Sequence, residues 1–161
     1  MKMNDKSLKT KTISVEEWHN LIQSGVDIPV VIMLHGNSMY PLVRYMRDQV
    51  TVCKCCRRIL PGDIVLFQRS DGQYVIHRVR KIADGNVLTM GDNCTHPDVW
   101  MPESEVLGIV THVCRGSRTF CVDTPLWRFL GRIRLNTVKP RTALRKILSP
   151  IKRVILSVFR R

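Results

Sequence analysis

Apolar and polar positions change their period along the chain, and the changes mark its elements. Near the start, Val15, Trp18, Leu21 and Ile22 recur at helical spacing. Ser14 precedes this stripe and Glu17 follows three residues later, the capping-box arrangement, and the stripe stops at Ser24-Gly25. The pattern predicts a helix over about 14–24. From Val30 the pattern shortens to strands. Val30–Leu34 is a short apolar run, and Gln49–Cys53 alternates. Leu60-Pro-Gly-Asp63 is a turn before a strand at Ile64–Gln68, Asp71-Gly72 is a hairpin signal, and Gln73–Ile82 pairs back. Asp84-Gly85 marks a second hairpin into Val87–Met90, and Leu107–Cys114 and Thr119–Val122 follow. Short strands separated by tight turns predict a mainly β, coiled antiparallel sheet rather than βαβ units.

The tail returns to helical periodicity. Leu144, Ile147, Leu148, Ile151, Val154, Ile155 and Val158 fall on one side, with Arg145, Lys146, Lys152 and Arg153 on the other. Pro140 and Pro150 divide it. The expected organisation is therefore a β domain over 1–124 and a basic amphipathic helical tail over 125–161.

Charge sharpens that division. The chain has 161 residues and a formal net charge of +13. Residues 125–161 hold 11 Lys and Arg and no acid, so the body is close to neutral. At 44% hydrophobic residues the chain has enough apolar material for a core, which excludes wholesale disorder. The longest uncharged run, Ile28 to Val43, contains His35, Asn37 and Pro41, so no transmembrane segment is expected. The first twelve residues are charged and lack an apolar run, so no signal peptide is expected, and the expected location is the cytoplasm or the periphery of a membrane. Cys53-Lys-Cys55-Cys56 is tight, but Cys94, Cys114 and Cys121 do not supply a second pair at zinc-site spacing. No metal and no cofactor are expected.

Three stretches carry candidate chemistry. Gly36-Asn-Ser38-Met-Tyr-Pro41 places a serine on a tight turn after an apolar strand, where backbone N–H groups can serve an oxyanion; the ordinary alternative is a plain turn serine. Tyr74-Val-Ile-His77-Arg-Val79 places His77 on the face of Val75 and Val79, a position that equally suits a core histidine. Gly91-Asp92-Asn-Cys-Thr-His-Pro-Asp98 is a polar loop with two carboxylates, or simply an Asx turn. Together they supply a nucleophile, a base and an acid for acyl transfer. Lys81 is the rival base. On a regular strand it faces the side of His77, about 13 Å along, but it needs desolvation to reach a useful pKa. His19, His35, His96 and His112 have no partner that spacing names.

In that order, Gly36–Pro41, Pro61-Gly-Asp-Ile-Val-Leu66, His77-Arg-Val79 and Gly91-Asp-Asn93 resemble the boxes of the signal peptidase I / LexA-type serine peptidase superfamily, over roughly residues 29 to 115. His77, where other members place lysine, makes the chain similar to the Ser-His branch. The resemblance implies Ser38 as nucleophile, His77 as general base, Asp98 as the acid that orients it, and Asp92 as a supporting member of the Gly-Asp-Asn box. It also implies a serine endopeptidase that cuts a leader or signal segment of a peptide or precursor-protein substrate. The alternative is a non-catalytic peptide-binding or regulatory module on the same fold. Autocleaving repression is disfavoured, because the chain has no Ala-Gly pair. For the tail, interleaved apolar residues favour peripheral membrane contact through 125–161 over packing on the domain, and disfavour nucleic acid.

Overall fold

The computed structural model describes residues 13–138. Helix α1 spans Val15–Gln23, and its capping box is formed: Ser14 Oγ accepts from Glu17 N at 3.0 Å, and Glu17 Oε2 accepts from Ser14 N at 2.8 Å. Its apolar stripe inserts Trp18, fully buried, whose Nε1 donates to Ile28 O at 2.7 Å and ties the helix to the chain entering the first strand.

Eight strands follow: β1 (Val30–Met33), β2 (Asp48–Lys54), β3 (Ile64–Gln68), β4 (Tyr74–Ala83), β5 (Asn86–Met90), β6 (Met101–Pro102), β7 (Val106–Arg115) and β8 (Arg118–Cys121). They form one antiparallel sheet, ordered β1-β2-β7-β3-β4-β5-β6 with β8 on β7, and it curls into a half-barrel. The mainly β, curled antiparallel sheet is what the hairpin signals predict, and α1 is what the capping-box stripe predicts. Apolar residues cover both faces. Trp18, Val50, Val52, Leu66, Ile76 and Val113 belong to one core, and Val65, Phe67, Val79, Val87 and Ile109 to the other. Strand β6 and the 3₁₀ turn Glu103–Glu105 lack a sequence signal. Two residues of strand are too few to show a period, and β6 is held by pairing with Asn86 and Val87.

One expectation is corrected. The β4–β5 register pairs Val79 with Thr89 but Lys81 with Leu88, a bulge at Arg80. Cross-strand partners share a face, and Leu88 faces away from Thr89, so Lys81 leaves the face of His77 and is exposed. Strict alternation, which placed the two together, does not survive the extra residue.

Helix α2 (Pro125–Asn136) is capped by Thr124, whose Oγ1 accepts from Trp127 N at 3.3 Å, and Pro125 opens its first turn. It lies on the sheet. Its inner face buries Gly131 and Leu135, and Leu135 and Val138 pack on Met90. Gly62, at φ +100°, allows the approach: a Cβ there would stand 2.5 Å from Arg128 O, and one on Gly131 would strike the Arg78 guanidinium. Four charged residues fix the helix start. Arg57 bonds Asp63 at 2.8 Å and Asp123 at 2.6 Å, and Arg128 bonds Asp123 at 2.7 Å and Asp63 at 3.4 Å. The stretch 125–138 therefore packs on the sheet. The stripe from Leu144 to Val158 lies outside the described residues. Among the described residues, no helix is long and apolar enough to cross a membrane.

Candidate functional site

Strand β4 sends consecutive side chains to opposite faces. His77, paired with Val65, is 4% exposed and sets its ring edge-on to Phe67, with centroids 6.3 Å apart. Arg78 projects the other way. At the end of β5 the chain leaves as the loop 91–98 and returns: Asp98 N donates to Thr89 O at 2.9 Å. That return brings Asp98 Oδ2 to 2.6 Å from His77 Nδ1, 21 residues away in sequence. Thr89 Oγ1 donates to the same oxygen at 2.8 Å, and Arg69 Nη2 to Oδ1 at 2.5 Å.

Burial alone pushes the Asp98 carboxyl upward. The hydrogen bond and charge of His77, with the bonds from Thr89 and Arg69, outweigh it and bring the group down to about 2. Asp98 is thus held as an acceptor carboxylate. With Nδ1 engaged by it, Nε2 is the imidazole nitrogen left to exchange a proton.

The serine turn reaches the same place from the other side. Gly36, at φ +94°, lets the chain turn out of β1, Tyr40 N donates to Asn37 O at 3.1 Å, and Met39 anchors the turn by burying itself in the core beside Val43. Ser38 O accepts from Asn93 N at 2.7 Å, which joins the serine turn to the Gly-Asp-Asn box. Gly91 stands between them. A Cβ at Gly91 would lie 2.8 Å from Ser38 O, 3.0 Å from His77 Nε2 and 2.7 Å from Cys94 Sγ. The Ser38 main chain and the free nitrogen of His77 thus flank one point that only glycine leaves empty. Among the described residues the Ser38 hydroxyl makes no hydrogen bond, and the Ser38–His77 contact is open in this conformation.

The two loop carboxylates have separate partners. Asp98 takes His77. Asp92 is fully buried and grips Arg78 through Nε and Nη2, both at 2.8 Å, while Arg78 Nη1 donates to Gly62 O at 2.8 Å. Because Arg78 and His77 leave β4 on opposite faces, this pair lies across the sheet from the imidazole. Its work is to lock the loop, the turn at Gly62 and α2 together.

Sequence spacing did not single out Arg69, Thr89 or Arg78. Arg69 sits at an ordinary hairpin end and Thr89 in a plain strand, and only the fold puts them on or near Asp98. Cys94, with its thiol pushed up by burial and by Asp98, is a further neighbour that no motif marks. The other histidines lie elsewhere. His35 packs toward Tyr45, His112 bonds Thr111, His19 bonds Gln23, and His96 is exposed. All six cysteines are free.

A cleft of about 240 Å³ opens beneath α2 on the Arg78–Asp92 side of the sheet, walled also by Pro41, Leu42, Trp127 and Leu130 with Arg115 and Arg134. Arg134 Nη2 donates to Tyr40 O at 3.0 Å, so α2 also touches the serine turn directly. In comparisons with known proteins, the chain matches no protein-family model and no curated protein.

Proposed function

We propose that this chain is a serine endopeptidase of the signal peptidase type, built on that superfamily's coiled β domain, and that it hydrolyses a peptide bond in a leader or signal segment. The observation that carries the reading is the His77 Nδ1–Asp98 Oδ2 bond of 2.6 Å, which leaves Nε2 beside Gly91 and the Ser38 main chain. In this reading the Ser38 hydroxyl turns to His77 Nε2 when substrate closes the site, and attacks the scissile carbonyl as Nε2 takes its proton. Asp98 holds the ring and stabilises the imidazolium. The Ser38 N–H, which makes no hydrogen bond among the described residues, serves the oxyanion. The proton then passes to the leaving amine, and water releases the acyl group. Strand β1 is a sheet edge leading directly to Ser38, so an extended peptide added to that edge would carry its bonds past the hydroxyl.

The open Ser38–His77 contact favours a second reading, a peptide-binding platform without turnover. A serine-directed acylating probe separates the two. The peptidase reading expects an adduct mapped to Ser38 and lost in both Ser38→Ala and His77→Ala. A protein that binds extended peptides with unchanged affinity in all three forms, and takes no adduct, would be the platform.

A further inference from the structure

Helix α2 is apolar on two sides, and only one is used by the fold. Gly131, Leu135 and the following Val138 satisfy the inner side. On the outside, Leu126, Phe129, Leu130 and Ile133 are 63%, 54%, 44% and 45% exposed. Their spacing of three, four and seven residues makes one continuous stripe. A stripe of four large side chains left in water on a helix already anchored by its other face is a docking surface in search of an apolar partner. We propose that this outer face of α2 seats the protein on an anionic membrane surface, with the helix lying in the interface.

Charge decides among the possible occupants. Arg132 is exposed beside the stripe, α2 contains no acid, and neither does any residue from 125 to 161. The chain's own segment 139–161 carries eight Lys and Arg and no acid, so folding it onto α2 would bring like charge to like charge. A second copy would oppose one cationic helix to another. Anionic lipid headgroups complement the arginine while the acyl boundary takes Leu126, Phe129 and Ile133. The docking requires nothing of the proposed reaction. Its bearing on substrate does rest on that reading: because Arg134 holds Tyr40 O, a lipid-bound α2 sets the serine turn close to the bilayer, where segments emerging from it are met.

The test is co-sedimentation of the full chain with vesicles of phosphatidylcholine alone or mixed with phosphatidylglycerol. The variant is Leu126→Gln/Phe129→Gln/Ile133→Gln, which spares Leu130 of the cleft. Wild type is expected to pellet with the anionic vesicles and far less with the neutral ones. The triple variant is expected to lose about tenfold in partitioning with its melting temperature unchanged. Arg132→Glu, at an exposed position, is expected to weaken binding several-fold and to remove part of its salt dependence. Equal pelleting of wild type and the triple variant would overturn the proposal, as would equal pelleting on both vesicles. Should the triple variant fail to fold, undiminished binding by Arg132→Glu overturns it instead. A change of oligomeric state in place of vesicle binding would assign the stripe to a second copy. Since none of these readings involves cleavage, the outcome is independent of whether Ser38 is catalytic.

Discussion

Replacing Asp98 by Asn keeps the shape of the group and removes its charge. The carboxyl is brought from an ordinary 3.8 to about 2 in the fold, against the opposing effect of its burial. At 1.36 kcal/mol per pKa unit, that is about 2 kcal/mol of folded-state stability. The side chain is only 12% exposed, so solvent screening leaves most of it in place. The sign follows from the direction. A carboxylate whose pKa falls on folding stabilises the folded state at pH values above about 3.8, and loses that contribution as the pH drops toward 2. Asp98→Asn is therefore expected to melt roughly 4–8 °C below wild type at pH 5, given 2–4 °C per kcal/mol for a chain of this size. The two melting curves should draw together as the pH falls below about 3.8 and converge only below about pH 2. The assay is thermal unfolding by circular dichroism across that range. An undiminished gap at the acid end would show that the loss is one of shape rather than of charge. No gap at pH 5 would mean that His77, Thr89 and Arg69 do not hold the carboxylate as described.

Asp92→Asn breaks a pair that is buried on both sides, leaving the Arg78 charge uncompensated; a loss of about 3–5 kcal/mol in urea unfolding is expected, with far less for the double change Arg78→Met/Asp92→Leu. Gly91→Ala places a methyl 2.8 Å from Ser38 O, so the serine turn must shift; any peptide cleavage should fall by at least about tenfold while the chain still folds. Gly62→Ala combines a left-handed φ with a backbone collision at Arg128 O, and should lower the melting temperature and expose Trp127, which fluorescence reports.

What the sequence made legible and what it hid divide along the length scale of the interactions. The α1 capping box and the Asp-Gly hairpins act between neighbours three or four residues apart, so Ser14, Glu17, Asp71-Gly72 and Asp84-Gly85 announce themselves. Ser38, His77 and the loop of Asp92 and Asp98 stand out because turns and strand ends with odd polar residues are rare against an apolar alternation. Which carboxylate meets His77 is implied by the resemblance but cannot be read from spacing. It depends on the loop folding back through the Asp98 N–Thr89 O bond and on Arg78 claiming Asp92 across the sheet. The bulge at Arg80 likewise moved Lys81 off the expected face, since period-2 counting cannot see an inserted residue. The role of α2 was hidden for the same reason. Gly62 and Gly131 look like ordinary glycines until the helix and the Arg78 guanidinium are set against them.

The most direct measurement of the central claim is cleavage itself. The full chain is incubated with a diverse mixture of precursor-like peptides and the products are read by mass spectrometry, alongside Ser38→Ala and His77→Ala of verified fold. A serine endopeptidase with His77 as base predicts a defined set of cut sites from wild type, absent from both variants. The same cuts from Ser38→Ala, or none from any form, would contradict it.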